Sequence, residues 1–456
     1  MARGKKKETL TPEERLQAAL VPVSEQPYPV PENWCWTRME NIAQWGSGGT
    51  PSRKIPEYYN GDIPWIKTGE LNDDYIFETE EHITEEAISH SSAKLFPVNT
   101  VAIAMYGATI GKVGILGVAA TTNQACACGV SNSLANYKYL FYYARSQKDN
   151  FIKKGKGGAQ PNISQEIIKS HEFPLPPLSE QHRIVDRIES LFAKLDEAKQ
   201  KAQDALDSFE TRKAAILHRA FTGELTSQWR KEHGVGMESW ENLKIGTYAQ
   251  VKGGKRLPKG HKLVTERTTH PYLRIADFGD GTINDSDLNY ITEDTFSQIK
   301  NYIINKEDVY ISIVGSIGKA GVIPESLNGA NLTENAARII SSRTLPRYLS
   351  SFLSSPKAQN DIQNRIRSAT LGKLSLLNIK DIETPVPSIE EQTEIVRILD
   401  DLLAKEQQAK EAAEGVLEQI DLIKKAILAR AFRGELGTND PSEESAVELL
   451  KQISSC

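Results

Sequence analysis

Apolar residues recur along two stretches of the chain at alternating steps of four and three. In the first they fall at Ile184, Ile188, Leu191, Leu195, Ala198, Ala202, Ala205 and Phe209 and, past Arg212, at Ile216. In the second they fall at Ile395, Leu399, Leu402, Ala409, Ala413, Val416, Ile420, Ile423 and Ile427, with Glu406 interrupting the seam. Such spacing predicts helices with a narrow a/d stripe. Ser179 and Ser388 suit the helix starts, with Glu391 placed to complete a capping box on Ser388. Gly223 and Gly434 are stop signals. About 40 residues per helix corresponds to roughly 60 Å. A helix with so narrow a stripe needs a partner to cover it.

The two stretches are copies. The run PLPPLSEQHRIVDRIESLFAKLDEAKQKAQDALDSFETRKAAILHRAFTGEL starts at Pro174, and PVPSIEEQTEIVRILDDLLAKEQQAKEAAEGVLEQIDLIKKAILARAFRGEL starts at Pro385. The offset is 385 − 174 = 211, without a gap, and 23 of the 52 aligned positions are identical. Each helix therefore has its natural partner in the same chain. A coiled-coil arm that dimerises with another molecule is the plainer alternative, but it leaves the duplication unexplained.

The segments before the helices are related more weakly. NWCW at 33–36 and the glycine-rich stretch 46–50 correspond to Trp240 and KGGKR at 252–256. IPWIKTGELN at 63–72 answers HPYLRIADFGDGTIN at 270–284, and VAIAMYGATIGKVGI at 101–115 answers VYISIVGSIGKAGVI at 309–323. TNQA at 122–125 is matched to TENA at 333–336. Short β-type runs, Gly-rich turns and helices over 138–154 and 346–367 predict two α+β globules of about 150 residues each. Near-identical arms under divergent heads imply that the heads choose the partner and the arms hold a spacing.

Composition adds limits. With 39% hydrophobic and 25% charged residues the chain reads as globular, and it has no apolar run of membrane-spanning length. No signal-type apolar stretch follows the basic residues 1–7, which predicts a cytoplasmic protein. A net charge of −5 neither announces nor excludes a nucleic-acid partner. Four cysteines, Cys35, Cys126, Cys128 and Cys456, make no disulfide framework, and the C-x-C at 126–128 lacks the second ligand pair a zinc site requires. GATIGK at 107–112 and GSIGK at 315–319 are too short for a phosphate-binding loop, and Val113 and Ala320 stand where a hydroxyl is needed. Methyltransferase, dinucleotide, zinc-protease and nucleophile-elbow signatures are missing. We therefore expect no catalytic residues, no metal site and no bound cofactor.

Side chains suited to base edges and phosphates do recur in both heads. In the first they are Arg53, Lys54, Lys67, Tyr106, Lys112, Asn123 and Gln124, then Lys153, Lys154, Lys156, Gln160 and Asn162 in the loop KKGKGGAQPN. In the second they are Lys252, Lys255, Arg256, Arg274, Lys319, Asn335 and Arg338, then Arg365, Arg367 and Lys373 in the loop RIRSATLGK.

With P-L-P-P-L-S-E-Q and P-V-P-S-I-E-E-Q at the helix starts and A-F-T-G-E-L and A-F-R-G-E-L at the ends, the chain resembles the specificity subunits of type I restriction-modification systems. G-x-x-x-G-K-x-G-I at 107–115, T-x-x-x-L at 370–374 and the opening TPEERLQAALVPVSEQPYPVPENW strengthen the likeness, which covers nearly the whole chain. The resemblance implies a non-catalytic DNA reader of the α+β class. Its parts would be an N-terminal extension (1–27), two target-recognition domains (28–177 and 236–387), two helical spacers (178–235 and 388–437) and a tail (438–456). The spacers would form an intramolecular antiparallel coiled coil with pseudo-twofold symmetry. The partners implied are double-stranded DNA, two methyltransferase subunits and restriction subunits. S-adenosylmethionine, ATP and Mg would belong to those partners. A tandem DNA-binding adaptor or antirestriction decoy, and a coiled-coil scaffold, are the competing readings.

Overall fold

The structure, a computed structural model, describes residues 11–155, 162–367 and 372–454. The chain divides into two units, Met1–Lys201 with Val416–Cys456, and Ala202–Gly415. Both long helices pass through both units. The first arm is Leu178–Asp207 followed by Phe209–Phe221, and the second is Ile389–Ala431. Ser208 separates the two parts of the first arm; its hydroxyl bonds the Asp204 carbonyl at 2.8 Å, a local bond that competes with the helical ladder.

Within each unit the arms run antiparallel. In the first unit Lys424 of the second arm lies 5.0 Å from the Phe192 ring and pairs with Asp196. In the second unit Lys410 lies 5.0 Å from the Phe209 ring. The two interruptions of the seam meet there as well, with Arg212 Nε donating to Glu406 Oε2 at 2.7 Å. The seam itself departs from strict heptads. Val416 and Ile423, expected inside, are 40% and 42% exposed, while Ile420 and Leu428 are buried and Lys424 is largely covered. A straight helix turns every 3.6 residues, so its covered stripe drifts by about 20° per heptad from a 3.5 repeat.

The heads share one topology. The first has a sheet in the order Ala43–Ser47, Cys126–Ser131, Val101–Ala104, Val113–Leu116, Tyr75–Ile76. The second repeats it as Ala249–Gly253, Ala336–Ser341, Val309–Ser312, Ala320–Val322, without the last edge strand. A smaller sheet in each head contains a parallel pair, Ile66 beside Thr122 in one and Leu273 beside Leu332 in the other. The helices expected over 138–154 and 346–367 are each broken in two, as Tyr137–Ser146 with Lys148–Lys154, and Pro346–Leu353 with Pro356–Arg367. In the second, Pro356 opens a new helix because its ring blocks the bond that would continue the old one.

The repeated motifs act at the junction of arm and head. In the first unit Phe432 packs edge-on against Tyr139 and Tyr143, at 5.2 and 5.1 Å between ring centres. In the second unit Phe221 meets Tyr348 and Phe352 at 5.4 and 5.2 Å. Gly223 and Gly434, just past these phenylalanines, sit at φ 82° and 74°, a conformation that favours glycine. The Glu-Gln pairs that close S-E-Q and E-E-Q, Glu180–Gln181 and Glu391–Gln392, are buried. Gln181 Oε1 accepts from the Asn136 amide and Gln392 Oε1 from the Leu345 amide, both at 2.8 Å. Glu180 accepts from Trp34 Nε1 and the Thr438 hydroxyl, both at 3.2 Å. Glu391 accepts from Trp240 Nε1 at 2.9 Å, the Thr226 hydroxyl at 2.6 Å and Arg230 Nη1 at 2.7 Å.

This use of Glu391 corrects the capping-box expectation. Ser388 does cap the Glu391 amide at 3.2 Å, but the Glu391 carboxylate turns inward to Trp240 and Arg230. Ser179, unlike Ser388, is no cap. The first arm begins at Leu178, and the Ser179 hydroxyl donates to Glu443 at 2.6 Å. The first and last helices of the described residues also meet in the first unit, where Pro12–Ala19 packs on Ala446–Ser454 and the Asn33 carbonyl accepts from the Ala446 amide.

The two buried glutamates differ in one testable respect. Burial raises the pKa of Glu180 above the ordinary carboxylate value. Glu391 instead neutralises the buried Arg230. In Glu180→Gln the amide oxygen still accepts from Trp34, and the Thr438 hydroxyl can reverse its role, so the cost stays below about 1 kcal/mol. Glu391→Gln leaves Arg230 without its counter-charge and costs about 3 kcal/mol. At roughly 2–4 °C per kcal/mol for a unit of this size, calorimetry should show that variant melting about 6–12 °C lower. Equal losses in the two variants would refute the distinction.

Candidate nucleic-acid interface

A rigid frame stands at the end of the parallel strand pair in each head. In the first, the Asn123 amide donates to the Ile66 carbonyl at 2.9 Å, Cys126 to Asn123 at 3.2 Å, Gly49 to Thr122 at 2.8 Å and Met105 to Ala125 at 2.8 Å. The second repeats all four bonds: Thr333 to Leu273 at 3.1 Å, Ala336 to Thr333 at 3.2 Å, Lys255 to Leu332 at 2.8 Å and Ile313 to Asn335 at 2.8 Å. Ile163 then donates to Met105 and Leu374 to Ile313, bringing the chain beyond each Gly-rich loop back onto the frame. Paired glycines permit the close approach. A Cβ on Gly48 would lie 2.0 Å from the Thr122 carbonyl oxygen, and one on Gly254 2.1 Å from that of Thr333.

These bonds fix the register between the heads and correct the motif matching by one residue. Asn123 corresponds to Thr333, Gln124 to Glu334 and Ala125 to Asn335. The TNQA–TENA match aligned letters, whereas the backbone aligns the residues after the strands.

The frame gathers part of the candidate set. In the first head Lys67 follows Ile66, Asn123 follows Thr122, and Gln124 is exposed and accepts a hydrogen bond from the Thr50 hydroxyl. Arg53 stacks 4.1 Å over Tyr59 and pairs with Glu81 at 2.5 Å, and Lys67 reaches Glu80 and Glu81 at 2.9 and 3.1 Å. The bond from Arg53 holds Glu81 below the ordinary carboxylate range. Tyr106 is 45% exposed and bridges to Asn162, while Lys54 is exposed and Lys112 half-buried. Lys153 and Lys154 end the helix Lys148–Lys154; Lys156 and Gln160 lie outside the described residues.

In the second head Lys252, Lys255, Arg256, Arg367 and Lys373 are exposed, and Asn335 is half-buried. Three candidates are occupied internally. Arg274 binds the buried Asp277 through Nη2 at 2.6 Å, Arg338 holds the Ile303 carbonyl and lies 3.7 Å from Asp308, and Arg365 binds Asp361 at 3.0 Å. Arg274 and Arg365 pair with carboxylates three and four residues away, of which only Asp277 is buried, and Arg338 with a carbonyl that the fold brings to it. Lys319 is exposed, but its loop faces the first arm; it lines a cavity of about 480 Å³ with Glu210, Lys213, Asp280 and Gln359. Sequence reasoning missed Thr50 and Glu334. The signal was available in the paired glycines that precede Thr50 and Arg256 in both heads.

Cys126 and Cys128 lie on one strand, both fully buried, and burial raises the Cys128 pKa to about 12. Gly107 and Gly111, and Gly315 and Gly318, take positive φ in turns between adjacent strands.

The sequence model described as "Type I restriction modification DNA specificity domain" matches residues 31–206 and again residues 237–415. The chain belongs to the type I restriction-modification specificity family. Over 458 residues it is 24% identical to the EcoKI specificity subunit of Escherichia coli strain K12, covering 93% of this chain and 95% of that one. It is 28% identical over 322 residues to the Escherichia coli EcoBI specificity subunit, covering 64% of this chain and 66% of that relative, just under two thirds. Its fold is similar to that of the HsdS subunit from Thermoanaerobacter tengcongensis, with a TM-score of 0.64, 20% identity, and 91% of this chain and all of that one covered. A chain from a structure on the assembly and conformational transition of the type I R-M system matches with a TM-score of 0.68, 20% identity, and 90% of this chain and all of that one covered.

In this specificity chain one buried titratable group lies against the helix Lys148–Lys154. His171 is 4% exposed, accepts from Lys154 Nζ at Nδ1 (3.0 Å) and donates from Nε2 to Gln147 Oε1 at 3.2 Å. Burial first, then the Lys154 charge, lowers its pKa to about 4, against the pull of Glu172. The folded state thus resists a proton that the unfolded chain takes up near 6.5. The stabilising contribution is complete above about pH 6.5 and is lost as pH falls towards 4. The second head places Ile382 at the matching position, its carbonyl accepting from Ile245 as His171 accepts from Met39. His171→Ile should therefore flatten the dependence of the melting temperature on pH between 6.5 and 4. An unchanged slope would remove His171 as its source.

Proposed function

We propose that this chain reads a bipartite asymmetric DNA target, one half-site per head with an unread spacer between them, and scaffolds two methyltransferase subunits. On this reading adenine methylation and restriction are carried out by partner methyltransferase and restriction subunits. Those partners hold S-adenosylmethionine, ATP and Mg; this chain holds no cofactor and is not itself an enzyme. The observation that carries the reading is the repetition of one backbone frame under different side chains. Two heads built alike but armed differently suit two unlike half-sites. Among the described residues no helix is long and apolar enough to cross a membrane, and we place the protein in the cytoplasm with its DNA.

The chain co-expressed with its cognate methyltransferase should purify with two copies of it. Methylome sequencing should then return a two-part motif. Replacing residues 28–173 with the first head of another family member should change one half only. Recovery without a methyltransferase would favour a DNA-binding decoy, and a change in both halves would end the two-reader account. For the electrostatic part, Lys153→Ala with Lys252→Ala and Lys255→Ala should lower the salt slope of DNA binding by about one unit per lost phosphate contact. An unchanged slope would remove these lysines from the interface.

A further inference from the structure

The residue after the amide that donates to the parallel strand's last carbonyl (Gly49 in one head, Lys255 in the other) and the second position after that strand form a side-chain pair in both heads. In the first head the Thr50 hydroxyl donates to Gln124, and both residues are exposed. In the second, Arg256 Nε donates to Glu334 Oε1 at 2.7 Å, and the Arg256 side chain is 79% exposed. The backbone beneath is the same in each, bond for bond, as described above. An exposed ion pair contributes little to stability, so holding the fold does not account for it.

The geometry points to a specificity-determining pair at one place on each head, and we propose that Thr50–Gln124 reads an A·T base pair and Arg256–Glu334 a G·C base pair. The inference rests on the DNA-reading function proposed above. In the major groove guanine offers two acceptors, O6 and N7, and cytosine a donor at N4. Arg256 supplies donors for the first and Glu334 an acceptor for the second. Adenine offers an acceptor and a donor to one amide, and thymine presents a methyl group. Gln124 supplies that amide and Thr50 a methyl of its own. Because each pair is already joined through its inner atoms, the outer atoms are held in a fixed relation before DNA arrives. Glu334 also accepts from the Thr333 hydroxyl at 3.1 Å and lies close to the Tyr272 phenol. The adjoining Arg274 serves the frame through the buried Asp277.

The test uses the complex of full-length chain and methyltransferase, with methylation of a randomised duplex library read by sequencing. The wild-type arm must return a defined motif; if it does not, the functional reading fails independently of this pair. Thr50→Arg with Gln124→Glu should switch one base pair of one half-site from A·T to G·C, with a change in preference of roughly tenfold to a hundredfold. Arg256→Thr with Glu334→Gln should make the opposite switch in the other half-site. Arg256→Ala, a truncation on the surface, keeps the question decidable should a double variant fold poorly; it should reduce discrimination at that base pair about tenfold. An unchanged motif in properly assembled variants overturns the proposal. So does an equal loss on all sequences, which would mark a backbone contact, or a change confined to the half-site of the other head.

Discussion

A carboxylate removed from water at the start of each arm is the constraint on which the rest of the structure depends. Glu180 and Glu391 occupy equivalent places, and each gathers a tryptophan just before the first strand of the head (Cys35–Arg38 or Glu241–Lys244) and a hydroxyl from the chain that follows an arm. The glutamine beside each one reaches the helix of the head. A buried carboxylate without partners is costly, so every element that supplies a donor is obliged to be there. Head, arm start and arm end are thereby tied at one point, with Phe221 or Phe432 packed alongside. One solution serves both units with different means: Arg230 neutralises the charge in one, and in the other burial raises the pKa of the acid against the pull of its hydrogen-bond donors.

Much of this was legible before any coordinates. The duplication and the helical period predicted the arms because both signals persist over 52 residues. Departures arose where local and long-range demands compete. The heptad rule misplaced Val416 and Ile423 because a straight helix does not follow a 3.5 repeat for long. Ser179 resembled a cap, but its hydroxyl serves Glu443, 264 residues away in sequence. The candidate interface was the least legible part. Basic residues near turns were easy to collect, yet Arg338 faces the Ile303 carbonyl, which only the fold brings near it, and Arg274 and Arg365 turn to carboxylates three and four residues away along the chain.

The heads show how a protein can vary what it reads without varying how it folds. Their frame is made of amide-to-carbonyl bonds, which are indifferent to side-chain identity. The residues whose size does matter are glycines, where a carbonyl passes within about 2 Å of an added Cβ. Side chains above such a frame are free to change, because no bond of the frame passes through them. The first head also carries Tyr75–Ile76 at the edge of its sheet, and His171 where the second has Ile382. These differences leave the shared bonds in place.

The contact between Arg212 and Glu406 has a consequence for which helices associate. With an offset of 211, the counterpart of Glu406 in the first arm is Leu195, and that of Arg212 in the second arm is Ile423. If two first arms from separate molecules paired in the same antiparallel register, each Arg212 would face a leucine. Two second arms would set each Glu406 against an isoleucine. Only unlike arms match charge to charge, and both members of that match belong to one polypeptide. The polar breaks in the stripe thus discriminate a helix from its own near-copy, and they bias a nascent chain toward closing on itself rather than on its neighbour.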